Sequence, residues 1–209
     1  MSEKDKVLQQ ISDIKTHLVD KEAFFPYNFN SCHVWSVIAV ILTFVMIPAY
    51  EHSVALGTGV TFVMMVIGFI VEGIMTKKVN KSYEIDDCTR RQQFIMKNFI
   101  IISFFLIAFS AVLAMHKLYI PILLLWLSLI SMGYMAIGFV INVKDYEKLA
   151  FFNIFMALLL VVVGMSFNLF EDRELFLVLV QSTLVFGLAI APSLLAIKQK
   201  KNIKKGCSV

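Results

Sequence analysis

The sequence predicts an all-α integral membrane protein: six transmembrane helices, an N-terminal amphipathic cytoplasmic helix, and both termini in the cytoplasm. Three observations carry that expectation. The chain is apolar beyond what a soluble fold hides. Of its 209 residues 59% are hydrophobic and only 16% charged, against roughly 25% charged in a soluble domain, and its mean hydropathy is +0.80. It contains six apolar runs of about the 20 residues that a spanning helix needs. And its basic residues fall on alternate connections.

Residues 1–32 read as a cytoplasmic segment. Charge is spread throughout "MSEKDKVLQQISDIKTHLVDKEAFF" with no apolar signal-peptide core, so insertion is expected through the first span. Within it Val7, Ile11, Ile14 and Leu18 recur at spacings of four, three and four, one narrow stripe on a helix ringed by Lys4, Lys6, Asp13, Lys15 and Asp20. Lipid surface, the inner ends of the spans, or the same stripe of a second copy would each cover it. Phe24, Phe25 and Tyr27 then suit the interface, and Pro26 ends the helix.

The membrane domain, 33–197, divides into spans at His33–Ala49, Val54–Met75, Asn98–Met115, Leu118–Ile141, Leu149–Phe167 and Leu175–Ile197. Apolar residues cover every face of each run, which excludes surface helices. None alternates polar and apolar residues as a membrane β-barrel strand does. Pro192 predicts a kink near the inner end of the sixth span. Ala55 with Gly59, Ser110 with Ala114, and Gly187 with Ala191 are spaced for close helix approach. A basic tail, 198–209, closes the chain.

Segments 1–32, 76–97, 142–148 and 198–209 hold 17 of the 19 Lys and Arg residues. The other connections hold Lys117 and Arg173, with Glu51, Glu171, Asp172 and Glu174. Basic short loops stay in the cytoplasm, so the termini and the 76–97 stretch are expected there, in a plasma or inner membrane. An even number of spans requires the same.

Charge inside the spans is scarce. Glu72 is the only acidic residue within one, placed to reach Lys77, Lys78 or lipid headgroups, with a gate or ion ligand as its functional alternative. Asn153 and Gln181 cannot be satisfied within their own helix as hydroxyls can, so they are candidates for interhelical bonds or for a polar path that takes in Ser182 and Thr183. The chain shows no P-loop, dinucleotide fingerprint, HExxH or GxSxG. No catalytic, cofactor or metal residue is assigned and no nucleic-acid partner is expected. Three cysteines, Cys32, Cys88 and Cys207, imply no disulfide framework. The expected function is non-enzymatic: oligomeric assembly, as a homo-oligomer in the bilayer, or docking of a cytoplasmic protein partner. The alternative is a small oligomeric channel, transporter or membrane-permeabilising effector.

Overall fold

The computed structural model describes Val7 and residues 27–83, 89–170 and 174–206. Six long helices make up nearly all of it: α1 Phe29–His52, α2 Val54–Ser82, α3 Arg90–Met115, α4 Tyr119–Ile141, α5 Lys144–Ser166, and α6, which runs as Glu174–Val185, a π-turn at Phe186–Ile190 and Ala191–Gly206. All six are long and apolar enough to cross a membrane. Of the predicted N-terminal stripe, Val7 is helical and exposed; Ile11, Ile14 and Leu18 lie outside the described residues.

The helices outrun the apolar windows, chiefly at the basic end. α1 begins at Phe29 instead of His33, α2 continues past Met75 to Ser82, α3 begins at Arg90 instead of Asn98, and α5 begins at Lys144 instead of Leu149. Hydropathy marks where a helix leaves the hydrocarbon, whereas backbone bonding and caps mark where it ends.

Between consecutive helices the caps are local. Ser53 alone separates α1 from α2; it is extended, and its hydroxyl accepts from the Leu56 N–H. α3, α4 and α5 each end on a left-handed residue: Lys117 (φ 58°), Asn142 (φ 54°) and Asn168 (φ 52°). In each case the next N–H reaches back to a carbonyl of the last turn: Leu118 to Leu113, Val143 to Gly138, Leu169 to Gly164. This is the Schellman arrangement. Asn tolerates the left-handed region; Lys117 takes it at a cost of roughly 1–2 kcal/mol.

α4 is the most buried helix, with Ile122, Leu123 and Leu127 fully enclosed. It packs closely on α3 and α5 and also touches α6 and α1 across the centre. α1 packs on α2 and along the whole of α6. α2 and α3 touch each other far less, and both turn most of their apolar side chains outward. Phe104 is 76% exposed, as expected of a side chain that faces lipid.

α6 is held by its irregular turn. The Ala191 N–H bonds the Phe186 carbonyl, one residue further back than in an α-helix. Pro192 has no N–H to offer. The Gly187 carbonyl thereby loses both its α and its π donor, and the Leu188 carbonyl loses its α donor. Side chains from three other helices fill in. Asn153 Nδ2 of α5 donates to Gly187 O at 3.1 Å and the Tyr134 hydroxyl of α4 to Leu188 O at 3.3 Å, while the Ser36 hydroxyl of α1 shares its one proton between Ala189 O at 2.8 Å and Cys32 O of its own helix at 2.7 Å. Gly187 is needed because a Cβ there would stand 2.5 Å from Asn153 Oδ1. The expected kink at Pro192 is thus realised as a π-turn just before it. Of the small-residue pairs, Ser110–Ala114 and Gly187 are buried in contacts, whereas Ala55 and Gly59 are exposed and a Cβ on Gly59 would meet nothing.

Gly187→Ala should therefore push Asn153 off its carbonyl and cost about 1–3 kcal/mol, read as a lowered thermal unfolding midpoint in detergent. Gly59→Ala, at the open position, should leave the midpoint unchanged.

Candidate functional site

One end of the bundle gathers polar and basic groups from every helix. Asn28 Nδ2 donates to the Thr76 hydroxyl at 3.3 Å. Lys198 of α6 bonds Asp145 of α5 at 2.7 Å, an exposed pair worth about 0–1 kcal/mol, and Lys200 reaches Asn30. The His33 imidazole meets the Ser193 hydroxyl at 3.1 Å, and Ser193 donates to Ser36 at 2.9 Å. Ser193 has a single proton, so this assigns the His33 Nδ1–H as the donor. Cys32 Sγ contacts the Tyr146 hydroxyl at 3.3 Å in a buried pair.

Here the middle polar stretch becomes structure. Asn80, at the end of α2, and Gln92, in the first turn of α3, are both buried and exchange two amide hydrogen bonds, at 3.0 and 2.7 Å. Gln92 also accepts from the Thr89 N–H while Thr89 caps the Gln92 N–H, a full capping box. The ends of α2 and α3 are thereby clamped as a helical hairpin, with Lys77, Lys78, Lys81 and Arg90 exposed on it. Sequence reading passed over this clamp, although its capping half is legible as Thr89-x-x-Gln92.

Above the clamp, the loose contact between α2 and α3 leaves space. An outer cavity of about 390 Å³ lies between Phe69, Gly73 and Thr76 of α2 and Ile95, Met96 and Ile100 of α3, with Asn28 and Lys77 at its polar end. A much narrower inner cavity of about 60 Å³ runs beside α1 from Ser31 to Met46, with Trp126 and Tyr134 of α4 on its wall. Tyr27, Glu72, Ile95 and Phe99 line both. Burial pushes the Tyr27 phenol, just ahead of α1, well above its ordinary range, which keeps it neutral.

Glu72 sits where the two cavities meet. Its carboxylate does not turn to Lys77 or Lys78: Oε2 accepts from the Trp35 indole N–H at 2.7 Å. Trp35 lies edge-on to Phe69 at 5.1 Å and rests on Gly68, where a Cβ would stand 2.6 Å from its ring. Gly68 thus lets the indole lie against α2 and aims its N–H one turn along, at position 72.

The other sequence candidates lie apart from Glu72. Gln181 Nε2 donates to the Thr43 carbonyl at 3.2 Å, joining α6 to α1. Asn153 is fully buried against the π-turn. Ser182 faces outward and Thr183 bonds its own helix at Leu179, so residues 181–183 do not share one path. Among the described residues no group of three or more His, Cys, Asp or Glu gathers to hold a metal. Asn80→Leu should strand the Gln92 amide and cost about 1–3 kcal/mol, seen as faster amide hydrogen exchange across 77–95 with little change in α4. No protein-family model, curated protein or solved structure matches the chain.

Proposed function

We propose that the chain is a non-enzymatic six-span membrane protein, with both termini cytoplasmic, that docks a cytoplasmic protein partner on the basic ends of α2 and α3. The observation that carries this reading is the Asn80–Gln92 clamp. Topogenic charge needs only to lie on the correct side of the membrane. A buried amide pair and a capping box go further: they hold that charge in a fixed arrangement, as recognition of an acidic surface requires. The partner is accordingly a protein with an acidic face. Homo-oligomeric assembly is part of the reading, supported by the stripe of Val7, Ile11, Ile14 and Leu18 and by the exposed Ala55–Gly59 pair. The side assignment rests on the basic residues: of the described ones, only Lys117 lies at the opposite end of the bundle. The transport reading draws its support from the joined cavities beside Glu72.

Two measurements test this. Cys88 lies in the 76–97 stretch, so a membrane-impermeant thiol reagent applied to intact cells should leave it unlabelled and should label it after permeabilisation; labelling from outside reverses the topology. Cross-linking and affinity purification from cells should recover a partner with the native chain and lose most of it with Lys77→Glu, Lys81→Glu and Arg90→Glu combined. Undiminished recovery removes the hairpin as the docking surface. Loss of binding to anionic vesicles without loss of any protein partner assigns the hairpin to lipid instead.

A further inference from the structure

Independently of any docking role, we propose that the gap between α2 and α3 binds a single-chain amphiphile with a primary-ammonium head, the head between Glu72 and Asn28 and the chain in the inner cavity.

The shape argues for a chain. At 1.5 Å of rise per residue, the stretch of α1 from Ser31 to Met46 that lines the inner cavity is about 22 Å long. That exceeds one leaflet of hydrocarbon, about 15 Å. The space is narrow and its side walls are apolar, including Ile38, Leu42, Ile102 and Ile137. The polar groups at its far end are already engaged: Thr43 bonds Ala39 O, and Trp126 donates to Ser110. One extended apolar chain suits such a slot. The entrance lies sideways, where Met96 and Ile100 of the outer cavity are also exposed to the bilayer.

The chemistry of the mouth argues for the head. Asn28 is 4% exposed, lines the outer cavity, and its Oδ1 has no hydrogen-bond partner. Glu72 lines both cavities, and a carboxylate has about four acceptor sites; the Trp35 N–H takes one and the Ser31 hydroxyl lies within reach of another. Glu72 and Asn28 Oδ1 are thus open acceptors, and the Lys77 ammonium that lines the same cavity is exposed and does not bond Glu72. A primary ammonium brings three N–H donors and a charge that complements Glu72. A quaternary ammonium brings the charge without them, and a carboxylate head would meet Glu72 with like charge. A lysolipid and one chain of a two-chain bilayer phospholipid can both present this chemistry.

The chain carries two tryptophans, and both line the inner cavity. Bromine on an acyl chain quenches indole fluorescence on contact, so the full-length protein in phosphatidylcholine nanodiscs can be titrated with chain-brominated lysophosphatidylethanolamine. Saturable quenching is expected, and lysophosphatidylcholine with the same chain should bind about tenfold more weakly, the loss expected when charged hydrogen bonds are not made. Glu72→Gln should bring the two heads together. In Trp35→Phe the buried Trp126 alone reports, and it should still be quenched; adding Ala39→Phe, which fills the slot, should abolish this. If brominated phosphatidylethanolamine in the disc gives the same quenching, the source is the bilayer; if only the lysolipid does, it is a free amphiphile. Quenching that rises without saturation and equally for both heads overturns the proposal, as does an unquenched Trp126. Should the Ala39→Phe protein fail to fold, the head-group comparison on the native chain decides alone.

Discussion

Hydrocarbon offers no hydrogen bonds, so a backbone carbonyl released inside an apolar bundle must find its donor within the protein. The arrangement of α6 follows from this constraint. Pro192 and the π-turn before it free carbonyls at Gly187 and Leu188, and Asn153, Tyr134 and Ser36 supply donors there and at Ala189 from α5, α4 and α1. These bonds tie three helices to one turn of a fourth. In membrane bundles such contacts contribute roughly 0.6–2 kcal/mol each, but their geometric effect is larger than that figure implies. A slip of one residue in α6 would leave the carbonyls unpaired, so register is fixed where uniform apolar packing would leave it loose.

α2 and α3 lie outside this arrangement, and the difference shapes the rest of the molecule. Among the described residues, neither donates a side-chain bond to the π-turn, and both expose more of their length than α4 does. α2 is fastened at intervals instead: Tyr50 lies over Gly57, Trp35 over Gly68, and Asn80 pairs with Gln92. Fastened near its ends and loosely packed on α3 between, it leaves the space that becomes the two cavities. The site is thus a consequence of uneven pinning, and Glu72 occupies the place where the fastened and the open parts of α2 meet.

How much of this the sequence disclosed depends on range. The six spans are legible because hydropathy over about 20 residues is a local property. Asn142 and Asn168 sit where left-handed caps favour Asn, and Thr89-x-x-Gln92 is a local signature as well. The helical continuation through Lys77–Ser82 was hidden, because polar composition reports the end of the hydrocarbon and not the end of the helix. The partner of Glu72 was hidden for a different reason. Lys77 and Lys78 are near in sequence, but a long-range contact with Trp35 on another helix decides the rotamer. The π-turn needed two facts together: Pro192, visible in sequence, and donors from three other helices, visible only in the fold.

That rotamer bears on what Glu72 is for. A carboxylate near the end of a span has an inexpensive solution in reaching up to the headgroup zone beside a lysine. Here it takes the Trp35 indole N–H instead, with the Ser31 hydroxyl beside it, within the protein and against a largely apolar cavity. Accepting one hydrogen from Trp35 is something a glutamine would do equally well without the cost of burying charge. What the carboxylate adds is negative charge and spare acceptor capacity, directed at a space that also contains the unpartnered Asn28 Oδ1. Both properties are unfavourable in an empty apolar cavity and favourable beside a cationic donor. The same asymmetry separates this site from the π-turn, where donors and freed carbonyls meet inside the bundle. At the π-turn the freed carbonyls are paired within the chain, although the buried Asn153 Oδ1 keeps no donor of its own; at the mouth of the α2–α3 gap the open acceptors face a space that a donor can enter from outside.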